Sequence, residues 1–245
     1  MRKMMIMLFT LAMTLPMAAQ EDTDMGLWMT AGAQKKINKQ WSVTGEAEYR
    51  LRDDFSASDR WTIGLSTTYK PYKWLKLHAG YKFMRDNNEE EYSYHKDGSV
   101  NTYTPSYWNT KHRLYAGATG TLKMNNWNLS LRERWQYTLK RPTTVQRYDE
   151  DDEAWEDKEK KGGGKNVLRS RLQLSYDFKS VGIEPFVSAE LYNQKGGLQK
   201  IRYTAGTSWA FSKNHSLEMF YRYIDDKDED NDNRHVIGIG YMYKF

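Results

Sequence analysis

Polar and apolar residues alternate along most of the chain. The segment WSVTGEAEYRLR at residues 41–52 is typical, with apolar or small residues at its odd positions and polar or charged residues at its even positions. Successive side chains of a β-strand point to opposite faces, so this pattern predicts a strand with one apolar and one polar face. The polar face of this segment carries four consecutive charged residues: Glu46, Glu48, Arg50 and Arg52.

Ten further segments alternate in a similar way, and none shows the 3.6-residue period of a helix. Most span ten or more residues, which exceeds the usual strand length of about five to six and matches the roughly nine to eleven that a tilted strand needs to cross a bilayer. Length therefore favours a membrane protein. The eleven predicted strands are 26–35, 41–52, 60–70, 74–85, 109–123, 127–140, 167–178, 183–193, 200–211, 216–225 and 234–245.

The connections between these strands alternate between short and long. Outer-membrane barrels have this pattern, with the short turns facing the periplasm. A soluble sandwich has no reason to sort its loops by length. The short connections are 36–39, 71–73, 124–126, 179–182 and 212–215, and the long ones are 53–59, 86–107, 141–166, 193–197 and 225–233.

Aromatic residues on the apolar faces fall near both ends of the strands, which predicts the two aromatic belts of a membrane barrel. The final strand closes on a terminal aromatic residue and resembles the signal by which outer-membrane barrels are recognised by their assembly machinery. Lipid and this machinery are therefore expected partners. The predicted girdle comprises Trp41, Trp61, Trp74, Trp127, Trp135, Trp209, Tyr243 and Phe245.

Composition alone leaves both a soluble sheet and a membrane barrel open, although it is too polar for a bundle of membrane helices. Hydrophobic residues make up 39% of the 245 residues and the mean hydropathy is -0.89, which suits a wall in which only alternate residues meet lipid. The chain has no Cys, so neither disulfides nor lipoprotein maturation are expected. The net charge of +5 is too small to indicate a nucleic-acid partner.

The first twenty residues read as a secretory signal. Arg2 and Lys3 precede an apolar run at 4–17, which small residues at Ala18 and Ala19 follow. The run is too short for a spanning helix, which needs about twenty residues. We therefore expect a cleaved signal peptide at 1–20 and one domain at 21–245.

Thirteen ionisable residues lie in the middle of the polar faces and are expected to line the lumen. Nine are basic and four are acidic. They could form a structural network of ion pairs or line a small water-filled channel, and in a channel the basic excess predicts small anionic solutes as permeants. The candidates are Glu46, Glu48, Arg50, Lys82, Arg113, Arg132, Arg134, Arg169, Arg171, Glu190, Arg202, Glu218 and Arg222.

Other chemistry finds less support. A hydrolase at the barrel rim is one alternative, in which His235 would pair with Asp226 or Asp232, but no nucleophile motif accompanies it. Residues 225–232 differ from a calcium loop at its sixth and twelfth positions. The glycine triplet at 162–164 reads as the flexible tip of a loop. We expect no cofactor, no metal and no catalytic residue.

Several segments resemble a family of bacterial outer-membrane barrels known as domain of unknown function 2490. The segments are GLWMTAGAQKKI, YKPYKWLKLHAGYKF, ATGTLKMNNWNLSLRERWQY, LRSRLQLSYDF, IEPFVSAELYN and IRYTAGTSWAF. The resemblance extends from about Gly26 to Phe245. It implies a barrel in the outer membrane of a Gram-negative bacterium, and it implies no activity.

The predicted fold is an all-β, transmembrane, antiparallel up-and-down β-barrel of ten to twelve strands. Twelve is preferred because bacterial single-chain barrels have even numbers of strands. The missing strand would lie within 92–107, or one assigned segment would lie outside the wall. The expected role is structural or that of a narrow, porin-like passive channel. A soluble periplasmic β-sheet protein is the alternative to a membrane location.

Overall fold

A computed structural model describes residues 24–227 and 233–245 of the protein. The predicted signal peptide and most of the calcium-loop-like segment lie outside the described residues. Eleven long strands form the wall of a closed barrel. They are β1 Met25–Lys36, β2 Trp41–Arg52, β3 Ala57–Tyr72, β4 Leu75–Asn88, β7 Tyr107–Met124, β8 Trp127–Lys140, β11 Gly163–Tyr176, β12 Ile183–Gln194, β13 Gly197–Trp209, β14 His215–Asp226 and β15 Arg234–Lys244.

Strands that follow one another in the wall are antiparallel, except at one seam. There β1 pairs in parallel with β15, from Met25 opposite His235 to Gln34 opposite Lys244. The terminal residue extends this seam, because the Phe245 N–H donates to the Gln34 carbonyl at 2.9 Å. A parallel seam lets an odd number of strands close, so every wall strand has two hydrogen-bonded neighbours and no edge remains exposed.

The range of ten to twelve strands is confirmed, but the preference for twelve is wrong, since the described wall has eleven. With eleven strands the two ends of the wall sequence lie at opposite ends of the barrel. Strand β1 starts at the end that carries the long connections, and β15 finishes at the end that carries the short turns.

A separate four-stranded sheet, which we call the outer sheet, accounts for the two longest connections. Its strands are β5 Glu91–Tyr94, β6 Val100–Thr104, β9 Thr143–Asp149 and β10 Ala154–Lys160, in the order β10-β9-β6-β5. The region 92–107 therefore does contain strands, but they lie outside the wall. These strands are short, and their sequences lack the long alternation that marks the wall.

The glycine triplet is also placed differently from its prediction. Gly163 and Gly164 begin β11 and pair with Lys140 and Leu139 of β8. The Tyr137 ring lies where a Cβ on Gly164 would be. Small residues are therefore needed here for the close approach of a neighbouring side chain, and the segment is part of the wall.

The outer face of the wall is apolar and exposed, whereas the inner face is polar. Ile63 and Leu65 of β3 are 58% and 61% exposed, while Thr62 on the same strand is buried. A small apolar cluster of Trp28, Ile224 and Val236 lies inside, beside the parallel seam. Among the described residues, no helix is long and apolar enough to cross a membrane.

Candidate functional site

The barrel encloses a cavity of about 1030 Å³. Its lining runs from the long-connection end to within a few residues of the short turns, as on β12, where it includes Gln194 at one end and Phe186 towards the other. All thirteen ionisable residues expected in the lumen lie on this lining. The cavity lining carries fifteen basic and five acidic side chains. The acidic ones are Glu46, Glu48, Glu190, Glu218 and Asp226.

On the side formed by β2, β3 and β4, the charges are paired. Glu46 accepts a hydrogen bond from Lys82, and Glu48 lies 2.7 Å from the Arg50 guanidinium. The Glu46–Lys82 contact links β2 to β4 from the inside, whereas Glu48 and Arg50 are two residues apart on β2.

Asp86, near the long-connection end of β4, is the most heavily bonded carboxylate on that side. Arg60 reaches it through two hydrogen bonds of 2.5 and 2.7 Å, and Lys111 through a third of 2.5 Å. The Asp86 side chain is only 7% exposed. Because the two Arg60 bonds are bidentate and charge-assisted, this contact is among the strong ones in the barrel.

On the side formed by β8, β11, β12 and β13, arginines face one another. Strand pairing sets Arg132 opposite Arg171 and Arg134 opposite Arg169. The same register sets Glu190 between Arg171 and Arg202 on the neighbouring strands. We call Arg132, Arg134, Arg169, Arg171 and Arg202 the arginine block.

Glu190 is the single carboxylate inside the arginine block. Its Oε1 accepts from Arg132, and its Oε2 accepts from Arg169 at 2.5 Å and from the Tyr192 hydroxyl at 3.0 Å. Arg202 in turn donates to the Tyr192 hydroxyl. Both carboxylate oxygens are therefore already occupied, and five guanidinium groups share one negative charge.

An inward-facing tryptophan adds a second way to hold arginines. The Arg50 guanidinium lies 3.6 Å from the centre of the Trp28 ring, and those of Arg222 and Arg202 lie at 4.9 and 5.2 Å. Arg50 is also paired with Glu48, whereas for Arg222 and Arg202, which have no ion pair among the described residues, such cation–π contacts are a further source of stabilisation. Trp28 is not among the residues predicted to line the lumen, although it alternates in register with the polar residues Thr30 and Gln34.

Glycines on the inner face let bulky side chains lie against the wall. The Phe220 ring occupies the space above Gly238, and the Tyr115 ring occupies the space above Gly80. A Cβ at either glycine would overlap the ring. These aromatic residues therefore lie along the wall and leave the centre of the lumen to the charged groups.

The predicted girdle residues lie on the outer face. Trp41, Trp74, Trp127, Trp135, Trp209, Tyr243 and Phe245 are exposed, and Trp61 is half-buried. Glu133 also faces outward, where it accepts a hydrogen bond of 2.7 Å from Ser170. Whether the girdle meets lipid stays a prediction.

The family described as "Protein of unknown function (DUF2490)" matches residues 25–236. The chain belongs to this family. Its fold is similar to that in the crystal structure of the beta domain of the Bordetella autotransporter BrkA, with a TM-score of 0.58 and 15% identity over 84% of this chain and 83% of the other. Comparison with curated proteins gives no match. At this identity, the likeness concerns the fold alone.

The four-stranded sheet of this DUF2490 barrel carries a row of aromatic residues across its strands. Tyr92, Tyr103, Tyr148 and Trp155 are directly opposite one another in register, one on each strand. The ring centres of Tyr92 and Tyr103 are 5.0 Å apart, and those of Tyr148 and Trp155 are 5.3 Å apart. These tilted ring contacts hold the sheet together on one face, while Val145 is buried on the other.

His235 and Asp226, which were considered for a hydrolase site at the rim of the DUF2490 barrel, each have another partner among the described residues. The Tyr221 hydroxyl and the His235 Nδ1 share a hydrogen bond, and Lys200 contacts Asp226. Asp232 lies outside the described residues. Across the part of the chain that the structure describes, no three His, Asp or Glu side chains are grouped to hold a metal ion.

Proposed function

We propose that this protein is an outer-membrane β-barrel whose lumen is a narrow passive channel preferring anions. An outer-membrane location is supported by the closed barrel, by the exposed apolar and aromatic outer face and by the likeness to an autotransporter beta domain. An apolar belt of this extent on a soluble protein would be a liability, because large exposed apolar patches drive association.

The charge of the cavity wall is the observation that carries the channel proposal. Fifteen basic side chains face five acidic ones across about 1030 Å³. Rings of basic residues select for anions, since they lower the electrostatic energy of an anion in the pore and raise that of a cation. The lining includes Lys161 and Gly162 of a long connection, at the end that faces outward in outer-membrane barrels.

Closer to the short turns, the inward positions are mostly small and polar. Thr44, Ser66, Thr119 and Ser130 continue the inner faces of β2, β3, β7 and β8 beyond the cavity lining. Short hydroxyl side chains leave room for water. They complete the proposed path from the basic cavity towards the periplasm.

The membrane location can be tested by fractionating cells that express the full chain. We expect recovery in the outer-membrane fraction, together with gel migration that changes on heating, as a folded barrel predicts. Recovery in the soluble periplasmic fraction would support the alternative of a soluble sheet protein. Deletion of Phe245 tests the proposed contact with the assembly machinery and is expected to reduce the folded fraction in cells.

The channel can be tested by single-channel recording in a planar bilayer. We expect small, stable conductance steps from protein that migrates as a folded barrel. Folded protein without conductance would contradict the channel proposal. A screen against phospholipid and peptide substrates with a His235→Ala control separates both outcomes from a hydrolase.

A further inference from the structure

The arginine block has more positive charge than its surroundings neutralise. Like charges directly opposite each other on neighbouring strands are destabilising, yet β8 and β11 place two such arginine pairs side by side. Within the described residues, Glu190 is the carboxylate that pairs with this block, and it pairs with Arg132 and Arg169. Arg134, Arg171 and Arg202 have no ion pair there.

The block also has hydrogen-bond donors without partners. The Nε atoms of all five arginines are buried and have no hydrogen-bond acceptor among the described residues. A buried donor left without an acceptor costs about 1–3 kcal/mol. The surplus positive charge and the unused donors of the arginine block both indicate that the block can bind a negatively charged group.

We infer that the arginine block is a binding site for a multivalent phosphate group carried by a small solute. Guanidinium forks match the oxygens of phosphate in bidentate geometry, and a group with two or more charges offsets the surplus better than chloride. The inference rests on the proposed channel in that the solute reaches the block through the lumen.

Basic side chains line the cavity between its long-connection end and the arginine block. Lys111 lies opposite Lys140 on the neighbouring strand, and Lys161 and Lys165 line the same side of the cavity. Arg113, farther down β7, is held by a hydrogen bond of 2.9 Å to Thr138. Lys111 is paired with Asp86, whereas Lys140, Lys161, Lys165 and Arg113 add positive charge on this side, which favours capture of an anion.

The cavity has room for such a solute. Small-molecule sites in proteins have volumes of roughly 300 to 1,000 Å³, and this cavity measures about 1030 Å³. Phe186, Phe220 and Tyr115 also line the cavity. They offer apolar surface for a part of the solute that carries no charge. The shape suits a phosphate ester better than a bare ion.

Calorimetric titration of the full barrel in detergent micelles with pyrophosphate tests the site without requiring conduction. We expect saturable binding to the wild type. For an R134Q/R171Q double variant we expect the affinity to fall about tenfold or more. The matched control is K123Q, at the short-turn end outside the cavity lining, which is expected to bind like the wild type. Gel migration before and after heating verifies that all three proteins are folded.

The outcomes separate this inference from the channel proposal. Binding that the double variant loses supports the site even if single-channel recording finds no conductance. Conductance without pyrophosphate binding, or equal binding by wild type and double variant, overturns the site while leaving the channel intact. Citrate, a trivalent carboxylate, binding as tightly as pyrophosphate would overturn the assignment to phosphate.

Discussion

Two sides of the same lumen carry the same kinds of side chain and balance them differently. On the β2–β4 side, each carboxylate lies beside a basic partner, as with Glu46 and Lys82 or Glu48 and Arg50. On the β8–β13 side, five arginines surround Glu190. The first side can be stable by itself, whereas the second needs an anion, or water and cation–π contacts, to hold its charge.

The difference arises from strand register. Alternation determines which residues face inward, but the offset between neighbouring strands determines which of them meet. On β8 and β11 the register brings Arg132 and Arg134 opposite Arg171 and Arg169. The two sides therefore predict opposite effects on stability for mutations that neutralise an arginine.

The largest effect is expected from Asp86→Asn on the paired side. The change leaves the half-buried Arg60 and Lys111 without the buried carboxylate that they share, and breaking a buried ion pair costs about 3–5 kcal/mol. We expect a loss of this order in the free energy of unfolding, measured by urea titration of the barrel in lipid vesicles. Asp97→Asn, in the turn between β5 and β6, is the control. A loss below about 1 kcal/mol would contradict the role of Asp86.

Glu190→Gln is expected to lower the free energy of unfolding by an amount of the same order and to have a visible effect on selectivity. It removes the acceptor of two arginines, and hydrogen bonds to charged groups contribute about 1.5–3 kcal/mol each. It also raises the charge of the arginine block, so the anion-to-cation permeability ratio should rise. Urea titration and zero-current potentials measure the two effects. A fall in the ratio would show that the block does not contribute to selectivity.

Arg134→Gln is expected to change stability little or to increase it. The variant removes a like-charge neighbour of Arg169, a contact worth about 0.2–1 kcal/mol, and leaves every ion pair of Glu190 in place. Arg60→Gln, an arginine on the paired side, is the matched control and should destabilise. Equal losses in the two variants would remove the distinction between the two sides.

The smallest effect on the barrel is expected from Trp155→Ala. The residue stacks on Tyr148 in the outer sheet and is 55% exposed, and it has no part in the wall. Unfolding of the barrel should change by less than about 0.5 kcal/mol, whereas protease cleavage within residues 143–160 should become faster. A large change in barrel unfolding would mean that the outer sheet supports the wall.

Much of the fold was predictable because a strand repeats every two residues. The eleven wall strands and the inward direction of residues such as Arg132 and Glu190 follow from alternation in the sequence. The outer sheet was not predictable from this signal, because β5 and β6 have only four and five residues. Strands of that length do not establish a pattern.

The arrangement of the lumen was less predictable than its composition. Nothing in the order of residues tells that β1 closes on β15 in parallel, and the pairing of Arg60 with Asp86 depends on the register of β3 and β4. Trp28 could have been found by the alternation rule, but an aromatic residue in a barrel sequence suggests the outer face. Its contact with Arg50 reverses that expectation.

The zero-current potential of the channel across a gradient of potassium chloride tests the central claim most directly, because its sign reports which ion crosses more easily. The basic lumen predicts a potential of the sign that chloride permeation produces in the wild type, shifted towards zero in an R134Q/R171Q variant. A potential of the opposite sign, or one that the double variant leaves unchanged, would contradict the proposal that the unpaired arginines determine what the lumen admits.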